Sequence, residues 1–233
     1  MNFRDRIFAS RIAAVAYNWV TNQEIWAQHA SALLDFVEKP LEELNVLDLG
    51  CGPGTTTAAM SQNHPSLACV VGLDISKSML KYAKGCDPHA NLCFVQGDGG
   101  ELPFMDASFD LVTGHSFLYL VPNRDLVVGE ISRVLRPGGR LVFLEPNAGF
   151  EPLTGLTAAL GNSLRILESP NATLRFCASM VGWRVASGLA GRLSRGSLEP
   201  LFKKHKLQAR GFHERFGSLG LLCVAEKVAR IQK

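Results

Sequence analysis

The strongest constraint on this chain is an apolar run that ends in alternating glycines: Val46-Leu-Asp-Leu-Gly-Cys-Gly-Pro-Gly-Thr55. Val46 to Leu49 reads as a buried strand, and Thr55 to Met60 as the start of a helix. Gly50, Gly52 and Gly54 lie between them, where the backbone turns sharply without Cβ clashes. Such a junction lets a ligand approach the main chain and face the amides at a helix N-terminus. It is the first βα turn of a doubly wound α/β fold. The spacing is G-x-G-x-G, whereas the dinucleotide fingerprint is G-x-G-x-x-G. A pyrophosphate requires a cluster of free amides; a ligand with a cationic amino-acid tail would use the Asp48 carboxylate at the strand end.

A length of 233 residues suits one α/β domain with an elaboration. Hydrophobic residues make up 47% and charged residues 19%, which supports a packed core and argues against disorder. The net charge of +3 is unevenly spread: residues 1–174 hold 12 Lys and Arg against 18 Asp and Glu, and residues 175–233 hold 12 against 3. Two readings stand for the basic end. One is a solvated face; the other is peripheral membrane contact through residues 175–210. The six cysteines have no C-x-x-C spacing and read as small core residues of a reducing compartment, with no metal ligands among them. Arg11 interrupts the N-terminal apolar stretch, and no segment reaches transmembrane length, so a cytoplasmic location is expected.

Phe3, Ile7, Phe8, Ile12, Val15 and Trp19 recur at helical spacing, which predicts a helix over 3–20 and a second over 24–37. After the glycine loop the helix runs to about Gln62. The second strand spans 68–73 and delivers Asp74 to its tip, 24 residues beyond Gly50. An acidic residue there accepts from both ribose hydroxyls of an adenosine, or alternatively caps the helix that starts at Ser76. Ile75 would pack on the adenine face. A third strand, 92–96, leads to Asp98 and Gly99, and a fourth, 110–113, leads to Gly114-His-Ser-Phe117. Asp98 is a carboxylate, which only accepts hydrogen bonds and so suits a donor-only group such as an amine.

These motifs resemble, in order, those of class I S-adenosylmethionine (SAM)-dependent methyltransferases. The similar phrases are D-L-G-C-G-P-G-T, G-L-D-I-S-K-S-M-L, the Gly97-Asp98-Gly99 turn, S-F-D-L-V and L-R-P-G-G-x-L, all within residues 46–146. The wording is most like the small-molecule enzymes that include the ubiquinone and menaquinone methyltransferases. The resemblance implies a Rossmann-like three-layer α/β/α sandwich with a seven-stranded, mostly parallel sheet in the order 3-2-1-4-5-7-6. It divides the chain into lid helices (1–40), a SAM-binding core (41–146), a helical substrate cap (147–196) and a closing helix with a β-hairpin (197–233). It implies SAM as cofactor, S-adenosylhomocysteine as product and a cofactor site of Asp48, Gly50, Gly52, Gly54, Asp74, Ile75, Met79, Asp98, Gly99, His115 and Ser116. It also implies that Asp98 accepts from the adenine amino group.

His115 at a strand mouth reads as a general base or as a backbone contact to SAM. Tyr119 reads as an acceptor-orienting or wall residue, Tyr17 as an acceptor contact or a helix packing residue, and Glu145 as a substrate contact or a partner of the lid. Leu135-Arg-Pro-Gly-Gly139 reads as a helix stop and turn before a strand over 140–145. Arg184, Arg192 and Arg195 fall on one helical face, opposite Phe176, Met180, Trp183 and Leu189. The abundant apolar residues of 147–196 favour a small hydrophobic acceptor. The quinone enzymes carry an Arg-Asn pair where this chain has Tyr119 and Leu120, which favours O- or N-methylation over C-methylation. The basic residues at 175–233 are sparse in interleaved aromatics, which argues against nucleic acid. Two rivals stand: an NAD-dependent oxidoreductase, disfavoured by the 98–99 and 135–139 motifs, and a non-catalytic SAM-fold regulator or scaffold.

Overall fold

In this computed structural model the described residues are 32–85, 90–149, 191–216 and 218–228, with single helical positions between 171 and 188. Tyr17 and the expected lid helix over 3–20 lie outside them, as does most of the 147–196 cap.

β1 (Asn45–Leu49) is central, parallel to β2 (Cys69–Asp74) on one side and to β4 (Phe109–His115) on the other. β3 (Leu92–Gln96) continues the sheet beyond β2, and β5 (Leu135–Pro146) continues it beyond β4. β6 (Leu207–Arg215) and β7 (Gly220–Lys227) form an antiparallel hairpin, with β7 against β5. The strand order is β3-β2-β1-β4-β5-β7-β6, as the sequence motifs imply.

Side chains alternate across the sheet, and both faces are apolar because both are covered. Val46, Val70, Leu111, Val142, Leu144 and Val224 meet Ala59 and Met60 of α1 (Thr55–Asn63) on one face. Leu47, Leu49, Val112, Leu141, Phe143 and Cys223 meet the other layer. That layer is Val127, Ile131 and Val134 of α3 (Arg124–Val134) with Leu198 and Phe202 of α4 (Arg195–Lys204). α2 (Lys77–Ala83) closes over Cys51 and Phe94. Ser76 caps α2 by accepting from the Met79 N–H, and Asn123 caps α3 through Leu126.

Three local expectations change. The Pro-Gly-Gly tract lies inside β5: Leu135 already pairs with Phe109, and pairing resumes at Leu111 and Arg140. Residues 136–139 bulge out between, with Gly138 at φ +78°. Arg184, Arg192 and Arg195 do not share one helix, because Gly191 takes φ +93° and Ser194 starts α4 with a capping box. The expected helix over 24–37 ends, in its described part, as a 3₁₀ turn at Leu34–Phe36. No helix among the described residues is long and apolar enough to cross a membrane.

At the amino end of β4, buried Asp110 accepts from Lys39 Nζ at 2.7 Å and the Asn45 N–H at 3.1 Å, and from Arg136. One carboxylate thus ties the entry to β1, β4 and the start of β5. Burial alone would raise its pKa, but Lys39, the Asn45 amide and Arg136 outweigh it and hold the carboxyl below the usual value. A depressed folded pKa gives stability that is present above the unfolded pKa and lost as pH falls through the folded one. Asp110→Ala is therefore expected to lower unfolding free energy by about 1–3 kcal/mol at neutral pH. Urea unfolding at neutral and acid pH checks this, since the gap to wild type should shrink in acid.

Candidate functional site at the carboxyl edge of the sheet

β1 to β4 are parallel and all end at one edge of the sheet, and the strand order reverses there between β1 and β4, where open α/β sheets bind ligands. The residues singled out in the sequence gather at this edge, but they divide into holders of the loops and groups left facing outward.

Asp48 is a holder. It is 2% exposed; Oδ2 accepts from Thr57 Oγ1 at 2.6 Å and Thr56 Oγ1 at 3.0 Å, and Oδ1 from Thr113 Oγ1 at 3.2 Å. Burial pushes its pKa up, the three hydroxyls pull it down, and nearby Asp74 pushes it up again. The expected contact with a ligand's cationic tail is thus replaced by a lock between β1, α1 and β4.

The glycines divide likewise. A Cβ on Gly50, at φ +67°, would stand 2.5 Å from Phe117 Cδ2. One on Gly54, at φ +84°, would meet Phe94 Cζ at 2.8 Å and Ala83 Cβ at 2.9 Å, so Gly54 serves close packing of the loop. Gly52, between them, donates its amide to Asp74 Oδ2 at 2.9 Å.

Asp74 stands at the tip of β2 with its other oxygen, Oδ1, accepting from the Ser76 N–H at 2.7 Å. A carboxylate has about four lone-pair sites, and these two bonds use one on each oxygen. Burial raises the Asp74 pKa, and the Ser76 and Gly52 amides offset part of that rise. Beside it Ile75 is 67% exposed. The next strand brings Asp98, exposed and accepting from the Gly100 N–H at 2.8 Å, and Gly99, where a Cβ would meet Phe117 Cζ at 2.9 Å. A pair of aligned acceptors, an outward apolar side chain, a second carboxylate and a buried glycine backbone against Phe117 thus lie on adjacent strand ends. That donor and acceptor set fits a ribose and an adenine ring.

Across the switch point, His115 Nδ1 lies 3.1 Å from Ser116 Oγ, and Ser116 takes φ +58° while its amide bonds Leu144 O at 2.8 Å. Three other expected site residues turn inward. Met79 is buried, and Tyr119 is 4% exposed within the main core. Glu145 is 0% exposed, its carboxylate occupied by the backbone amides of Phe117, Leu118 and Tyr119. An open contact of Tyr119 or Glu145 with an acceptor is therefore not what this arrangement offers.

Phe117 and Leu126 belong to the site and carry no sequence signal of their own. Phe117 underlies Gly50 and Gly99, and Leu126, 52% exposed, stands over Gly100. Thr56, Thr57 and Thr113 act on the site through Asp48, a partnership spread over 65 residues of sequence. No cluster of metal-ligating side chains occurs among the described residues.

Residues 47–143 match a family model described as a methyltransferase domain. Among curated proteins, the chain is 42% identical over 108 residues to a demethylmenaquinone methyltransferase of Lactococcus lactis, covering 45% of this chain and 43% of that one. It is 32% identical over 111 residues to a fatty-acid O-methyltransferase of Mycolicibacterium smegmatis, covering 48% and 40%. The chain thus spans less than half the length of these relatives. A solved SAM-dependent methyltransferase from Methanosarcina mazei shares the fold, with a TM-score of 0.59 and 20% identity over 85% of this chain and 98% of that one.

A side chain at Gly50 meets both a left-handed backbone and the Phe117 ring. Gly50→Ala should cost about 1–3 kcal/mol of stability, read by denaturant unfolding. Gly138→Ala meets no atom within 4 Å and carries only the backbone cost, so it should fall short of that loss.

Proposed function

We propose that this chain, which carries a class I S-adenosylmethionine-dependent methyltransferase domain, moves the methyl group of SAM to a small hydrophobic acceptor. The observation that carries the reading is Asp74: a carboxylate at the β2 tip, oriented by two backbone amides and keeping a lone pair on each oxygen. A ribose diol is the group that such a pair of acceptors takes. Asp98 would take the adenine amino group, and Ile75 and Leu126 would cover the ring.

When bound, SAM supplies a methyl group already activated by its sulfonium. The protein's task is then alignment in a pocket from which water is excluded. The glycine loop and the 115–117 turn flank the switch point and hold the methionine half. His115 is the side chain at this mouth that can receive a proton from an acceptor hydroxyl or amine. With SAM held there, its sulfonium would supply the methyl group to an acceptor oxygen or nitrogen aligned in line, with S-adenosylhomocysteine as the product and the acceptor's proton going to His115. Oxygen or nitrogen is favoured over ring carbon because Tyr119 and Leu120 stand where the quinone enzymes carry Arg-Asn, and Tyr119 is buried. The fatty-acid and menaquinone relatives both act on apolar molecules by name, which supports an apolar acceptor.

Calorimetry with SAM, S-adenosylhomocysteine and NADH tests the cofactor. SAM and its product should bind, NADH should not, and Asp74→Ala or Asp98→Ala should weaken binding about tenfold or more. S-adenosylhomocysteine release with fatty acids, phenols, amines and reduced naphthoquinones then identifies the acceptor, and mass spectrometry the methylated atom. Failure of SAM and its product to bind would end this reading. Binding without turnover of any acceptor would leave a SAM-binding regulator.

A further inference from the structure

We infer that Glu145 is a positioning residue for the cofactor pocket: together with Arg124 it clamps the 117–119 turn and so fixes the Phe117 ring beneath the two glycine loops. The inference rests on the methyl-transfer reading above and assigns Glu145 a part in it beyond the acceptor contact expected from sequence.

Glu145 is the penultimate residue of β5 and is fully buried. Its Oε1 accepts from the Phe117 N–H at 3.1 Å and the Leu118 N–H at 2.8 Å, and its Oε2 from the Tyr119 N–H at 3.1 Å. Arg124 takes the opposite poles of the same turn: Nε donates to Leu118 O at 3.2 Å and Nη2 to Tyr119 O at 3.1 Å. A carboxylate and a guanidinium thus grip the amides and the carbonyls of a single 3₁₀ turn, Leu118–Leu120. An ordinary turn satisfies these groups with water or a hydroxyl. Burying a carboxylate for the purpose costs free energy that only well-aligned donors offset.

What the clamp holds is specific. Ser116, just before the turn, sits in the left-handed region at φ +58°, a conformation that persists only where its surroundings enforce it. Phe117, next, puts its ring 2.5 Å from a Cβ built on Gly50 and 2.9 Å from one built on Gly99, and meets Phe143 edge-on at 6.1 Å. One ring therefore underlies both the methionine-side loop and the adenine-side loop. A displaced turn changes the spacing of the two loops without unfolding the sheet.

The groups facing Glu145 are the three amides, Arg124 from α3 and Cys223 from β7, with Tyr119 on the clamped turn and His115 on β4 beside them. Burial raises the Glu145 pKa to about 7, while the three amides and Arg124 hold it from rising further. Protonation places a fourth donor where three already converge, so one bond is lost and the turn loosens as pH falls. Cofactor affinity should therefore fall with pH through neutrality.

S-adenosylhomocysteine binding across the neutral range in wild type, Glu145→Gln and Arg124→Gln is the test, with amide proton shifts of Phe117, Leu118 and Tyr119 followed by NMR in wild type. Wild type should lose affinity several-fold from mildly alkaline to mildly acid pH, with the three amides titrating at the same midpoint. Glu145→Gln should bind about tenfold more weakly at alkaline pH and lose the pH dependence. Arg124→Gln should move the midpoint to higher pH, since it removes the cation that favours the carboxylate. A folded Glu145→Gln with wild-type affinity and slope would assign the slope to His115 and overturn the proposal. So would amide shifts that do not titrate, a readout that holds even where a variant fails to fold. If wild type binds no S-adenosylhomocysteine at any pH, the methyl-transfer reading falls and the positioning role with it, whatever the amides show of the clamp.

Discussion

The buried Asp48 carboxylate is the interaction on which the rest of this arrangement depends. It sits on the central strand and is bonded by hydroxyls from α1 and from β4. A carboxyl group at 2% exposure is costly to bury, and three hydroxyl partners offset that cost. Because the donors come from the helix after the glycine loop and from the strand across the switch point, the carboxylate fixes three elements at once. The glycine loop is then stretched between two anchored ends, and Gly52 points its amide at Asp74 as a result.

From that lock the site is assembled by adjacency. Parallel pairing of β1 with β2 sets Leu49 beside Leu73, and pairing of β2 with β3 sets Asp74 beside Gln96. The loop amides, the Asp74 carboxylate and the 98–99 turn must then emerge side by side. Phe117 joins this row to the other half of the sheet, because its ring supports Gly50 and Gly99 while its amide is held from β5. Small backbone shifts at β5 therefore reach the pocket through a rigid ring.

Much of this was legible in the sequence, and the parts that were not share a cause. The strand order followed from the family resemblance that the motifs carry, and the structure has that order. Asp74 and Asp98 could be read as ligand contacts because chemistry demands acceptors at those tips. Asp48 and Glu145 could not be separated from these by sequence, because a carboxylate at a strand tip looks alike whether it faces a ligand or bonds within the protein. Their partners, Thr113 and the 117–119 amides, are distant in sequence or invisible as side chains. Pro137-Gly-Gly139 read as a turn because a bulge and a turn use the same residues, and only the pairing of Leu135 with Phe109 separates them. Tyr119 failed differently. A tyrosine one turn past a strand mouth faces inward or outward according to how that turn is held, and here Glu145 and Arg124 turn it into the core.

The two halves of the edge are built to different degrees of constraint. On the β2 and β3 side, named carboxylates and amides leave little freedom in what fits. On the β4 and β5 side, the polar groups at the sheet edge are largely spent on the protein itself: Glu145 and Arg124 on a turn, and Asn147 on the Ser218 carbonyl and the Gly149 amide. Methyl transfer tolerates this division, since the activated group arrives on the cofactor and the protein need supply only position. A fold that fixes one reactant by polar contacts and the other mainly by shape retains its chemistry while the acceptor changes. On the methyl-transfer reading, acceptor identity in this chain would then be set by residues other than Asp74 and Asp98, which face the cofactor side.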